Sequence, residues 1–289
     1  MADTLIRLLI RDGTLRGLAA NTTDLCREIC ASQGCDPTAS VALGRLITAA
    51  ALMSGLLKGD QRLALSVEGN GPLQRLNAET DAEGHLRANV RNPLPGLPPK
   101  DDRFDVVGAV GRAGFLHVIK DLGLREPYRG TVQLVSSEIG EDLAYYLTTS
   151  EQIPSAVALG VTLDQEGLVS AAGGFILQSL PPGDEERVAE IERRLKELPP
   201  VTSLLRGGEK SPLALLEPLL RGIPFDIKAE QPLIFRCNCS RPQVERMLRG
   251  LSLEERKELA QRTEDTAVTC EFCRQSYAFT PEEVRRWAE

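Results

Sequence analysis

The sequence predicts an α+β fold. An N-terminal region carries a mixed, mainly antiparallel sheet packed by helices. A helical linker follows, and then a small C-terminal domain built around cysteines. Three observations carry this reading. Up to about residue 180, strand-like runs outnumber helical ones and are joined by short hairpin-like turns. A charge-dense helical run then lies between Pro181-Pro182 and Pro199-Pro200. Four of the seven cysteines fall in two tight pairs within residues 231–289. The chain has 289 residues, 42% of them hydrophobic, so a sizeable core and more than one domain fit within it.

LIRLLIRDGTLRGLAA reads as a hairpin turning at Asp12-Gly13. A helical stretch around 22–32 precedes an apolar helix at about 39–57. The apolar run 46–57, bounded by Arg45 and Lys58, is too short to span a bilayer and reads as a buried core helix. RLALSVE, LQRLNAET and HLRANV alternate as strands, punctuated by Gly69-Asn70-Gly71 and residues 81–84. FLHVIKDLG and GTVQLV add further strands. SSEIGEDLAYYLTTSEQ reads as a helix with Ser136 or Ser137 as N-cap. IPSAVALGVTL and LVSAAGGFILQSL close the region as a hairpin around residues 164–167.

Residues 183–198, GDEERVAEIERRLKEL, place Val188, Ile191, Leu195 and Leu198 on one stripe of a charged helix. Pro199-Pro200 ends it. PLALLEPLLRG gives another helical piece after a Gly-Gly turn. Short helices are marginal alone in water. The stripe is therefore expected to be a latch lying on an apolar surface of the first domain while the tail is folded.

The net charge is −7, and residues 231–289 hold basic and acidic side chains in equal number. Nucleic acid and anionic membrane both select basic surfaces, so neither is expected as a partner. Asp3, Arg7 and Arg11 interrupt any apolar leader, which points to the cytoplasm. In that compartment cysteines serve as thiols, metal ligands or redox groups. CNC (Cys237, Cys239) and CEFC (Cys270, Cys273) have metal-ligand spacing. Four thiolates in two local pairs suit tetrahedral zinc, which tolerates the tighter Cys-x-Cys pair. So short a tail has little apolar material, and a structural metal would supply the missing stability. The bland alternative is four buried thiols without metal. Both pairs can also close as local disulfides, since near neighbours bring Cα atoms within ~4.4–6.8 Å. A metal cross-link across about 30 residues stabilises by ~3–4 kcal/mol through chain entropy, and two local disulfides abolish it. Oxidant is then expected to eject the metal and unfold the tail.

On these residues the chain resembles the redox-regulated 33-kilodalton chaperonin family, heat-shock chaperones switched on by oxidation. CNC and CEFC match the family's zinc motif in order and spacing. ALGRLITAAALMSGLLKG, LTTSEQIPSAVALGV and GGFILQSLP also look like family segments, so the resemblance runs along the whole chain. It implies a substrate-binding core domain at 1–180, a metastable helical linker at 181–230 and a zinc-binding redox-switch domain at 231–289. It implies one zinc (Zn2+) per chain in an inactive reduced form. Cys237, Cys239, Cys270 and Cys273 would be both its ligands and the redox-active, disulfide-forming residues. It further implies an ATP-independent holdase that, once oxidised, binds unfolded or unfolding client proteins and forms a homodimer.

Other signals carry less. Cys26, Cys30 and Cys35 form a second cluster that reads as small apolar residues in or near the core. His85 and His117 sit in strand-like runs and read as structural. GGEKS at 207–211 lacks the upstream glycine of a phosphate loop. No catalytic arrangement is evident, so no enzyme is expected. Two other classes stay open: a zinc-ribbon adaptor with purely structural zinc, and a thiol oxidoreductase using CEFC. The latter lacks a thioredoxin-like βαβ context.

Overall fold

The computed structural model describes residues 2–100, 103–206 and 211–288. Most of the GGEKS segment, residues 207–210, lies outside them. The chain divides into two compact units, Met1–Arg236 and Cys237–Glu289.

In the first unit β1 (Thr4–Ile10) and β2 (Leu15–Asn21) form the expected hairpin. Its turn is fixed by Gly13 at φ 80° and by the Asp12 carboxylate, which accepts from the Thr14 N–H at 3.0 Å and its hydroxyl at 2.8 Å. Helix α1 (Thr23–Gln33) ends at Gly34 in the left-handed region. Helix α2 (Pro37–Ser54) starts two residues earlier than the sequence pattern suggests. Asp36 caps it by accepting from the Ala39 N–H at 2.8 Å, and Pro37 takes the first helical position.

Strands β3 (Arg62–Gly69), β4 (Arg75–Asp81) and β5 (His85–Val90) follow. A short helix α3 (Val106–Val110) leads to β6 (Gly114–Asp121) and β7 (Tyr128–Gln133). After helix α4 (Gly140–Thr149), β8 (Ser155–Leu163) and β9 (Val169–Ser179) make the closing hairpin. Three helices come next: α5 (Glu185–Glu197), α6 (Val201–Arg206) and α7 (Glu217–Leu220). The unit ends with β10 (Phe225–Pro232) and β11 (Ile234–Phe235).

These strands build two sheets. The five-stranded sheet has the order β10-β1-β2-β9-β8 and is antiparallel throughout. The six-stranded sheet has the order β11-β5-β4-β3-β6-β7, antiparallel except for β11 on β5. Helix α2 joins them. All its residues but Pro37 and Arg45 are buried, and its cluster takes Leu5 and Leu18 from one sheet and Leu63, Leu76 and Leu86 from the other. Alanine and glycine let the sheets approach it closely. A Cβ on Gly55 would come within 2.6 Å of Leu18 and 2.8 Å of Leu5.

A second core lies against Ile6, Leu8, Ile10, Phe175 and Leu177 of the five-stranded sheet and is closed by the linker helices. Ile191 of α5 is buried there, with Leu195 and Leu198 packed at its margin, while Val188 is only half-buried. Arg194 reaches across to the carbonyls of Leu219 and Arg221 at 2.6 and 2.9 Å, tying α5 to the end of α7.

Three local expectations need correction. Neither Ser136 nor Ser137 caps α4. The helix starts at Gly140, and Ser137 and Ile139 adopt positive φ. The Asp142 carboxylate does the capping, accepting from the N–H groups of Val135, Ser136, Ser137 and Ile139 at 2.7–3.3 Å, while the Ser137 hydroxyl donates to the Gly111 carbonyl. PLALLEPLLRG is a 3-10 turn at Pro212–Leu215 followed by the single turn α7, because Pro218 cannot continue a helix from the preceding turn. Residues 225–230, expected as part of a helical linker, lie in the edge strand β10.

The second unit contains α8 (Arg241–Arg249), α9 (Leu253–Ala260), the hairpin β12 (Thr266–Thr269)/β13 (Ser276–Phe279) and α10 (Pro281–Ala288). Its core is small: Val244, Leu248, Ala260, Phe279, Val284 and Trp287. Phe279 and Trp287 meet edge to face at 5.4 Å. Among the described residues, no helix is long and apolar enough to cross a membrane.

Candidate metal centre

Four cysteines from two separate segments converge in the second unit. Cys237 and Cys239 stand directly before Ser240, the N-cap residue of α8. Cys270 and Cys273 form the turn between β12 and β13. That turn is closed by the Cys270 N–H to the Gln275 carbonyl at 2.9 Å and the Arg274 N–H to the Cys270 carbonyl at 3.0 Å, with Arg274 at φ 58°.

All four sulfurs lie within 4.8 Å of one another. Contacts run between the two segments: Cys237 Sγ to Cys270 Sγ at 3.7 Å, and Cys239 Sγ to Cys273 Sγ at 3.3 Å. Sulfurs bound tetrahedrally to zinc at about 2.3 Å stand about 3.8 Å apart, so the group fits such an ion with little adjustment. The donors are four soft sulfurs with no carboxylate among them, which favours zinc over calcium or magnesium. All four cysteines are half-buried, so the centre is only partly shielded from solvent.

The thiols differ. Burial raises Cys237. Burial also acts to raise Cys270, but N–H groups of Cys273 and Phe272 and the neighbouring thiols outweigh it and bring the group down to about 7. Cys273 is pushed up to about 12 by burial and by its contacts with Cys239, Cys270 and Cys237. The Tyr277 hydroxyl lies 3.2 Å from Cys239 Sγ, and that hydrogen bond is the first reason it is pushed up to about 12. Sequence reading missed Tyr277; its place two strand residues beyond the CEFC turn was the available signal.

The other cysteines are elsewhere. Cys26 and Cys30 are buried in the core around α2, where Cys26 Sγ contacts the Gly44 carbonyl at 3.6 Å and Cys30 Sγ the Ser40 carbonyl at 3.7 Å. Burial pushes Cys26 up to about 12, and contact with Cys35 followed by burial raises Cys30 further from its ordinary range. His117 Nδ1 pairs with the Thr131 hydroxyl at 3.0 Å. His85 Nδ1 lies 3.0 Å from Asp81 and 3.4 Å from Glu83, so three potential ligand atoms gather at the β4–β5 turn. Arg236 stands 3.2 Å from His85 Nε2 and brings positive charge there without a metal.

Fold and site define an α+β protein with a four-thiol centre in a small unit of its own. The Hsp33 protein family model matches residues 3–280, and the chain belongs to the Hsp33 family of chaperones. It is 58% identical over 285 residues to the 33 kDa chaperonin of Syntrophotalea carbinolica, covering 99% of each chain. The 33 kDa chaperonin of Geobacter sulfurreducens is 51% identical across 99% of this chain and 95% of its own. That of Bacillus subtilis is 40% identical across 98% and 97%. The crystal structure of the 33 kDa chaperonin from Thermotoga maritima superposes with a TM-score of 0.92 at 33% identity, covering 100% of this chain and 98% of that one. The resemblance and the fold class expected from sequence both hold.

Proposed function

We propose that this chain is an ATP-independent holdase that is inactive when reduced and zinc-loaded, and that oxidation activates it. The observation that carries the reading is the convergence of four sulfurs from two distant segments. Cys237, Cys239, Cys270 and Cys273 hold one zinc per chain. Bound zinc keeps the sulfurs as thiolates and ties two segments that the small core of Val244, Leu248, Phe279 and Trp287 holds weakly by itself.

Oxidation takes two electrons from each pair of thiolates. A peroxide accepts them, with two protons from the solvent, and becomes two waters. The disulfides form locally, Cys237 with Cys239 and Cys270 with Cys273, because short loops close at low entropic cost. The long cross-link is then gone and the tail unfolds. The stripe of Val188, Ile191, Leu195 and Leu198 acts as the latch: with the tail lost, α5 leaves the five-stranded sheet and bares apolar surface that holds unfolding clients. The functional division is a core at 1–180, a metastable linker at 181–230 and a switch at 231–289. In this state the chain also pairs with a second copy. It works in the cytoplasm on unfolded proteins.

The deciding experiment follows aggregation of an unfolded client without ATP. Peroxide-oxidised protein suppresses it and reduced, zinc-loaded protein does not. Equal behaviour in both states would leave a purely structural zinc module.

A further inference from the structure

One continuous segment seals an edge of each sheet in the first unit. Strand β10 pairs with β1 from Ile10↔Phe225 to Thr4↔Pro232, with an irregularity at Arg7/Leu8. Leu233 then donates its N–H to the Asp3 carbonyl at 3.0 Å. Strand β11 pairs with β5 at Ile234↔His85 and Phe235↔Leu86, and the Arg236 N–H donates to the Leu86 carbonyl at 2.9 Å. The next residue is Cys237.

This strap joins both sheets through its main chain, with Phe225 and Phe235 packed only at the margins of the two cores and Gln231 bonded to the Ser54 hydroxyl. Leu233 is the single buried residue from 225 to 236, and Ile227 and Ile234 are each 50% exposed. The strands beneath are the reverse. Leu5, Ile6, Leu8 and Ile10 of β1 and Leu86, Ala88 and Val90 of β5 are all buried. A cavity of about 300 Å³ opens along the β1–β10 seam, lined by Leu5, Arg7, Gly55, Leu57 and Lys58 and closed on the strap side by Ala229 and Gln231. An exposed edge of this kind, with apolar side chains on its faces and unpaired N–H and C=O groups in a row, is a template for a further strand.

We propose that the strap occupies a strand-addition site, and that an unfolded polypeptide in extended conformation takes its place on β1 and β5. The proposal rests on the redox-holdase reading, since loss of the folded cysteine centre is what frees the strap's C-terminal end. Main-chain pairing suits a chaperone because it reads no sequence. With the strap's Ala229 and Gln231 gone from the seam, the wall left behind, apolar at Leu5 and Leu57 with Arg7 and Lys58 beside them, receives apolar or acidic side chains of the incoming strand. The strap itself, FDIKAEQP, has that alternating character.

The experiment uses the full chain, oxidised by peroxide, and two labelled probes. One is a peptide of alternating apolar and polar residues. The other is the same peptide N-methylated at every second residue, which removes the donors along one strand edge. The methylated probe should bind at least ~10-fold more weakly, the loss expected from a few net main-chain hydrogen bonds. Hydrogen exchange should show the β1 and β5 amides bonded to the strap losing protection on oxidation and regaining it with the unmethylated peptide. Equal affinity for both probes, or protection that survives oxidation, overturns the proposal. Protection that returns with protein concentration alone, and that peptide does not compete for, assigns the edges to a second copy and overturns it too. Client aggregation measured on the same samples separates the two readings. Suppression with equal probe affinity defeats strand addition and leaves the holdase standing. Absence of redox-dependent suppression defeats the holdase, and strand addition with it.

Discussion

Two buried carboxylates show how single residues hold the first unit. Asp142 is fully buried and its two oxygens accept from four backbone N–H groups in the irregular turn before α4. Removing it strands the buried N–H groups of Ser137 and Ile139, each costing about 1–3 kcal/mol, while those of the more exposed Val135 and Ser136 can turn to water. Asp142→Ala should therefore lower stability by at least ~2 kcal/mol, read as the urea midpoint of reduced protein; a shift under a third of that would deny the carboxylate its role. Asp3 is different. Burial raises its pKa to about 6, although the Leu25 and Asp24 N–H groups at the start of α1 partly oppose the shift. An unfolded aspartate titrates near pH 4. From about pH 4 to 6 the folded chain keeps a proton that the unfolded chain has released, so stability falls as pH rises through that window and is flat on either side. Asp3→Asn removes the slope. Relative to wild type the variant should gain up to ~3 kcal/mol between pH 4 and 6, with the difference constant above 6. Parallel stability curves across that range would contradict it.

At the scale of elements, legibility followed locality. Both N-terminal strands, α2, the β8–β9 hairpin and α5 were readable because their turns and periodicities lie within short windows of sequence. The four cysteines were readable for the same reason: each pair is a local motif, and only their meeting is tertiary. What escaped depends on distant partners. The capping of α4 was assigned to serine because a buried aspartate two residues inside the helix is not the usual cap. Strand β10 was hidden because an edge strand with no fully buried residue has only a faint period-two pattern, Phe225, Ile227 and Ala229. The Tyr277 contact with Cys239 spans 38 residues. For α5 the structure sharpens the latch proposal. Ile191 is its one buried side chain, and Arg194 bonds the carbonyls near α7. Ile191→Asp with Leu195→Asp puts charge into the core beside Phe175 and Leu177, at a cost of several kcal/mol. The double variant should bind clients while reduced and zinc-loaded, and should be cut by protease between Pro181 and Pro232. Inert, protected protein would mean that α5 is a structural brace only.

Across the whole molecule the energetics are uneven. The first unit is closed by two large apolar clusters, one around α2 and one under the linker helices. Among its described residues the second has six buried apolar side chains, together with a four-sulfur centre. A unit of that size gains little from burial alone, and on the proposed zinc reading metal binding and folding are one equilibrium. Removing metal from reduced protein with a strong chelator should unfold residues 237–289 while the first unit keeps its sheets. Hydrogen exchange would show it as lost protection in α8, α9 and β12–β13, with β2, β3 and β9 unchanged. Restoring zinc should reverse the loss as long as the thiols stay reduced. After peroxide, zinc alone should not, because sulfurs paired in disulfides no longer offer four thiolates; a thiol reductant must come first. Cys273→Ser should mimic the chelated state, with less than one zinc per chain even under reducing conditions. If the unit stays protected without metal, its small core is sufficient, and the four cysteines cannot be the switch that folds and unfolds it.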